Sequence, residues 1–188
     1  MSIRLIIMGP PGVGKGTQAN ILKDTLNIPH LSTGEILRNE IIIGSDIGNI
    51  SKNYIDDGLF VPDDILIKII KNHITRSDCK NGYILDGYPR NLQQVADLKE
   101  LLAETNQTID VAISLTAEKK EVIKRLVKRS EDSGRSDDTY EIISKRQDVY
   151  WEQTAPIIEY YQKSGILKEV NGLGAIEDIT HRILEVIK

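Results

Sequence analysis

Nine residues near the start of the chain, Gly9-Pro-Pro-Gly-Val-Gly-Lys-Gly-Thr17, have the types and the spacing needed to hold phosphate. They contain the G-x-x-x-x-G-K core of a phosphate-binding loop. Glycines let the backbone curl so that the N–H groups of Gly12, Val13, Gly14, Lys15, Gly16 and Thr17 face one centre. Lys15 adds a mobile ammonium, and a helix opening behind the loop adds its positive N-terminus. The pattern departs from the strict form once: Gly16 stands where Ser or Thr usually follows the lysine, so Thr17 is the nearest hydroxyl. None of His30, His73 and His181 sits in a motif, and each is read as structural or exposed.

The elements around that loop must place it at the end of a strand. Ile3–Met8 is a run of β-favouring aliphatics that stops at Gly9, and Lys15 to Leu26 carries apolar residues on one helical face. Pro29–Leu31 predicts a short strand, and Ser32-Thr-Gly-Glu35 is a capping-box pattern opening a helix through Ile41. Helices are expected over Asp46 to Asp57, over Ile65 to Ile74 with Asp63 as cap, and over Leu92–Leu102, with a strand at Tyr83–Leu85 before Asp86-Gly87. Strand Val111–Leu115 and helix Glu118–Arg129 follow. Ser130 to Arg135 reads as a break, and Asp137 or Asp138 as the start of a long helix to about Tyr161, bent at Pro156. Strand Ile166–Val170 and helix Ile176–Ile187 close the pattern. Strands alternating with helices imply a three-layer α/β fold with a parallel sheet core, flanking helices and ligands at the carboxyl ends of the strands. No linker divides the chain, so residues 1–188 are expected to form a single domain.

Composition narrows the function classes. The chain is 40% apolar and 28% charged, as in globular proteins, and its 28 acidic against 24 basic residues give a net charge of −4. No basic excess is available to neutralise a nucleic-acid backbone. No segment reaches the roughly 18 to 20 apolar residues of a membrane span, and the run at Ile3–Met8 is short for a signal peptide. A single cysteine, Cys79, excludes an internal disulfide and a multi-cysteine zinc site. These features point to a cytoplasmic protein with no membrane or nucleic-acid partner.

Three blocks together resemble the nucleoside monophosphate kinases. They are the loop Gly9 to Gln18, the segment Leu31-Ser-Thr-Gly-Glu-Ile-Leu-Arg38, and Leu85-Asp-Gly-Tyr-Pro-Arg90 followed by Gln94. Arg125, Arg129, Arg135 and Arg146 fall at the spacing of that family's lid arginines, and the likeness runs essentially end to end. It implies a P-loop kinase with a helical monophosphate-binding insertion at 32–61 and a short lid at 128–138. Only five residues separate Arg129 from Arg135 and none is cysteine, so no structural zinc is expected.

The resemblance implies reversible phosphoryl transfer between MgATP and AMP, giving two ADP, by a monomer. Thr33 and Gln94 favour AMP over a pyrimidine acceptor, and Leu59-Phe60-Val61 resembles the backbone stretch beside the AMP base. Gly87, Tyr88 and Pro89 belong to the second monophosphate block. Arg38 and Arg90 are expected to fork onto the AMP phosphate, a bidentate task suited to guanidinium. Arg135 and Arg146 would reach in from the lid, Arg129 would contact ATP phosphates, and Arg125 would stack on the ATP adenine or pair with Glu121 one turn earlier. Gly174 would lie near that base, and Asp86 would orient Mg²⁺ through water. The rivals are a pyrimidine monophosphate kinase, a GTPase-type switch and an inactive relative. The second lacks its Asn-Lys-x-Asp motif here, and intact Lys15, Arg38, Arg90, Arg135 and Arg146 argue against the third.

Overall fold

A computed structural model describes residues 2–133, 137 and 139–187. Five strands form one parallel sheet: β1 (Ile3–Met8), β2 (His30–Ser32), β3 (Gly82–Asp86), β4 (Val111–Thr116) and β5 (Leu167–Asn171), in the spatial order β2-β3-β1-β4-β5. β1 lies in the middle, with Leu5 opposite Ile84 of β3 and Val111 of β4. Because every pair is parallel, all carboxyl ends lie along one edge. The loop after β1 therefore opens between the ends of β3 and β4, where chain connections leave the sheet in opposite directions.

Alternation along the strands builds two cores. Ile6, Met8, Tyr83 and Leu85 point to one face, under α2 (Thr33–Ile43), α4 (Asp63–Ile74), α5 (Leu92–Glu104) and α8 (Pro156–Lys163). Leu5, Ile7, Ile84, Ile113 and Leu115 point to the other, under α1 (Lys15–Leu26), α6 (Lys119–Ser133) and α9 (Ile176–Val186). This is the three-layer α/β arrangement that parallel crossovers dictate. Among the described residues the remaining α-helices are α3 (Asp46–Asp56), packed against α2, and α7 (Tyr140–Val149).

Local chemistry explains most element boundaries. The Ser32 hydroxyl accepts from the Glu35 N–H at 3.4 Å, as the capping box requires, so β2 passes directly into α2. Two expectations fail. The break expected from Ser130 does not occur before Ser133, because the Ser130 hydroxyl donates to the Val127 carbonyl at 2.6 Å and is accommodated within α6. The long helix expected from Asp137 or Asp138 starts instead at Tyr140, capped by the Thr139 hydroxyl; Asp138 lies outside the described residues. That helical run is also interrupted. Pro156 has no N–H to donate back and would clash with a regular turn, and the backbone widens to a π-turn over Tyr150–Thr154, where the Ala155 N–H reaches the Tyr150 carbonyl at 2.9 Å. Short strands shift by a residue or two, β2 to His30–Ser32 and β5 to Leu167–Asn171.

The pair α2–α3 has an unusually close seam. A Cβ on Gly48 would lie 2.1 Å from the Glu40 carbonyl oxygen, so the two backbones touch. Ser51, on the same helix, is fully buried and its hydroxyl has no partner among the described residues. Gly48→Ala should therefore destabilise by about 1–3 kcal/mol, although alanine gains up to about 1 kcal/mol in an exposed helix. Ser51→Ala should stabilise by about 1 kcal/mol by removing an unsatisfied hydroxyl. Urea midpoints at unchanged m-value check both, and a raised midpoint for Gly48→Ala would refute the seam.

Candidate active site

The loop after β1 is held so that its carbonyls turn outward. The Lys15 ammonium donates to the carbonyls of Gly9 at 2.8 Å and Pro10 at 3.2 Å. The Gln147 amide of α7 donates to the Pro11 carbonyl at 2.8 Å, and the Arg125 guanidinium of α6 to the Val13 carbonyl at 3.4 Å. Val13 is buried and plugs the loop into the core, against Gly172 beyond β5. A Cβ on Gly12 would come 2.5 Å from the Val122 carbonyl, so the loop lies directly on α6. α1 starts at Lys15 with no acidic residue of its own in the first turn, and the Asp86 carboxylate stands beside that end, 3.7 Å from where a Gly16 Cβ would lie.

A second wall is built from the end of β3 and from α2. The Thr33 hydroxyl donates to the Gly87 carbonyl at 2.9 Å, and the Nε–H of Arg90 donates to the same oxygen. The Arg90 guanidinium sits 5.1 Å from the centre of the Phe60 ring, and the Thr154 hydroxyl donates to the Arg90 carbonyl at 2.8 Å. Arg38 folds back over Gly34. From α7, Arg146 donates to the Asp137 carboxylate at 2.7 Å, and the same helix packs on Gly58, where a Cβ would lie 3.1 Å from Arg146 Cγ.

Between these walls lies a cleft of about 740 Å³. It collects Gly12 to Thr17, Thr33, Arg38, Leu59, Phe60, Val61, Asp86, Gly87, Pro89, Arg90, Arg125, Arg129, Arg146 and Gly174. Tyr88 and Gln94 lie one layer behind it: both are buried, and the Tyr88 hydroxyl donates to the Gln94 carbonyl. Arg135 lies outside the described residues. Arg125 lines the cleft, but its guanidinium is engaged with the carbonyls of Gly172 and Val13 and stands 3.5 Å from Glu121, so the pairing with Glu121 is present.

One contact had no signal in the motifs. His30, almost without exposed side chain, sets Nε2 3.2 Å from Asp86 Oδ2 and Nδ1 3.0 Å from Asn20 Oδ1. Residues 30 and 86 are joined only by β2–β3 pairing, with Ser32 opposite Asp86, and no sequence spacing reports it. Gln147 and its bond to the loop were equally invisible.

The cations of the cleft oppose one another. Burial pushes the Lys15 ammonium down from 10.5 to about 8; Asp86 resists, and Arg90, Arg146 and Arg129 add to the fall. Burial likewise pushes Arg90 from 12.5 to about 10, helped by Arg146 and Arg38 and resisted by Asp86. Positive groups gathered at such cost to their own protonation mark a site for a polyvalent anion.

A parallel sheet whose central strand ends in a G-x-x-x-x-G-K loop, facing a wall of arginines, defines a P-loop phosphotransferase of the α/β class. The chain matches the family model described as adenylate kinase over residues 7–166. It is 46% identical over 184 residues to the adenylate kinase of Leptospira biflexa serovar Patoc, covering 98% of this chain and 99% of that protein. It is 46% identical over 182 residues to that of Bifidobacterium longum (97% and 98% covered), and 42% identical over 185 residues to that of a Nocardioides species (98% and 97%). The chain belongs to the adenylate kinase family.

The depressed Lys15 has a measurable consequence. Phosphates placed beside it raise its pKa back, so MgATP binding should take up almost no proton well below pH 8 and a fraction of one above it. Affinity should fall as pH rises through about 8, where the free ammonium is lost. Calorimetry in buffers of different ionisation enthalpy measures this uptake. Lys15→Met should remove it, and equal uptake in both proteins would exclude Lys15 as its source.

Proposed function

We propose that this protein catalyses reversible phosphoryl transfer between MgATP and AMP, giving two ADP, with the cation-lined cleft as its active site. The observation that carries the reading is the convergence of Lys15, Arg38, Arg90, Arg129 and Arg146 on one cleft beside the glycine loop. Lys15 and the amides of Gly12 to Thr17 hold the ATP phosphates with Arg129, while Arg125 and Gly174 frame the ATP base. Arg38 and Arg90 fork onto the AMP phosphate, with Arg135 and Arg146 reaching in from the lid side. Thr33, Leu59, Phe60, Val61, Gly87, Tyr88, Pro89 and Gln94 form the AMP side.

An oxygen of the AMP phosphate attacks the γ-phosphorus of ATP; the bond from that phosphorus to the β–γ bridging oxygen breaks, and both products are ADP. The attacking oxygen is already anionic near neutral pH, so the protein supplies alignment and charge and needs no general base. Among the described residues no histidine lines the cleft. Asp86, at the end of β3 and 3.7 Å from where a Gly16 Cβ would stand, belongs to no metal-ligating cluster among the described residues, and such a donor fits a hydrated Mg²⁺ arriving with ATP better than a protein cage. The ion would neutralise phosphate charge, and Asp86 would accept hydrogen bonds from its water, steadied by His30. Residues 32–61 and 128–138 close over the two nucleotides and exclude water, which would otherwise compete as acceptor. The single cysteine supports a cytoplasmic location, and the family resemblance a monomer.

A coupled assay in both directions tests the assignment, with AMP, CMP and UMP compared as acceptors. AMP should be turned over fastest. Arg90→Ala should lower kcat on the order of a thousandfold, and Arg90→Lys should not restore it, because an ammonium cannot reproduce the fork. Undiminished activity in Arg90→Ala or Lys15→Ala, or faster turnover of CMP or UMP, would count against the proposal.

A further inference from the structure

The side-chain amide of Gln94 is held from two sides, and the motifs account for neither. The Arg90 N–H donates to Gln94 Oε1 at 2.7 Å, and Gln94 Nε2 donates to Asp63 Oδ1 at 2.6 Å. A backbone N–H can only donate and a carboxylate can only accept, so both neighbours enforce the same orientation. Turned over, the amide would set donor against donor at Arg90 and oxygen against carboxylate at Asp63. Gln94 is fully buried, so water could relieve neither conflict.

The place of Asp63 in the first turn of α4 does not explain this by itself. Its neighbour Asp64 is exposed and stands 3.6 Å from Lys68, as a first-turn acid ordinarily would. Asp63 instead turns toward α5, meeting Gln94 and, at 3.3 Å, the Asn91 amide whose oxygen caps that helix.

Each of the two amide atoms then has one bonding position left, a single N–H on Nε2 and a single lone pair on Oε1, in fixed order. Adenine presents an amino donor at C6 beside an acceptor at N1. A 6-oxo purine presents the reverse, a carbonyl acceptor at C6 beside an N1–H donor. A glutamine free to turn over could satisfy either base, and a locked one satisfies only one.

We infer that Asp63 is a positioning residue that sets the base specificity of the acceptor site: by locking Gln94 it admits a 6-amino purine and refuses a 6-oxo purine. The inference deepens the proposed function and rests on Gln94 being the residue that meets the acceptor base. Reaching that edge takes a shift of the wall, since Gln94 has no exposed surface in this arrangement, and residues 32–61 are the segment already proposed to move.

AMP and IMP differ only at this edge, so initial rates with MgATP and either acceptor read the lock. Asp63→Asn removes the acceptor-only partner and leaves the Arg90 N–H in place, so it should shrink the AMP-to-IMP ratio of kcat/KM severalfold without abolishing it. The change should appear in the KM for the acceptor, with the KM for MgATP unmoved. Asp63→Ala should shift the ratio in the same direction and serves where the asparagine variant does not fold. Gln94→Leu, run beside them, should collapse the preference. If the Asp63 variants lose activity equally toward AMP and IMP while Gln94→Leu changes the ratio, Asp63 is a structural residue and the inference is overturned. If Gln94→Leu also leaves the ratio unchanged, Gln94 does not read the base, and the reading beneath the inference fails with it.

Discussion

Positive charges that repel one another are held around a single cleft, and the rest of the molecule is arranged to keep them there. Lys15 and Arg90 both lie well below their ordinary pKa values, and each is pushed further down by neighbouring arginines. Among the described residues, Asp86 opposes the shift at both groups and Asp137 opposes it at Arg90 while paired with Arg146, and both cations still lie low. A ligand carrying several negative charges removes the repulsion at once. The cleft is thus poised to bind polyphosphate before any base is recognised.

Keeping cations together against their repulsion demands a rigid frame. The parallel sheet supplies it, because its carboxyl ends deliver the loop after β1, Asp86 from β3 and the start of α2 from β2 to one edge. Individual side chains are then fixed by contacts that have nothing to do with phosphate. Phe60 and the Gly87 carbonyl hold the Arg90 guanidinium, Thr154 holds its backbone, and Gly34 leaves room for Arg38. Each such contact reduces the rearrangement needed when substrate arrives, which is how positioning lowers a phosphoryl-transfer barrier.

The parts of this design legible in the sequence were those encoded locally. The loop needs its glycines and Lys15 within nine residues, and Ile3–Met8 and Lys15–Leu26 announce themselves by aliphatic run and helical period, so β1 and α1 were read to the residue. Elements with competing signals were less readable. Ser130 looked like a breaker but satisfied its hydroxyl inside α6, and Pro156 was read as a bend in one long helix where the backbone widened to a π-turn before it. The site showed the same division. Arg38 and Arg90 were visible because they lie inside blocks, whereas His30 beside Asp86, Asp63 beside Gln94 and Gln147 beside Pro11 are pairs made by topology. No period or spacing rule connects residues that meet only after the sheet has formed.

The pair of Gln147 and Pro11 completes a task that the motif does only in part for itself. A loop that turns N–H groups toward an anion must turn carbonyls elsewhere, and a carbonyl facing protein needs a donor; the Val13 N–H itself donates to the Pro10 carbonyl at 3.2 Å. Here Lys15 serves Gly9 and Pro10, Gln147 serves Pro11, and Arg125 serves Val13. Two of these three donors come from α6 and α7, the helices that also carry Arg129 and Arg146. The phosphate cradle and the arginines facing it are therefore braced through the same two helices. A displacement of α6 or α7 would disturb both sides of the cleft together, which under the proposed function ties the geometry of the donor phosphates to the placement of the arginines proposed to neutralise the transferred one.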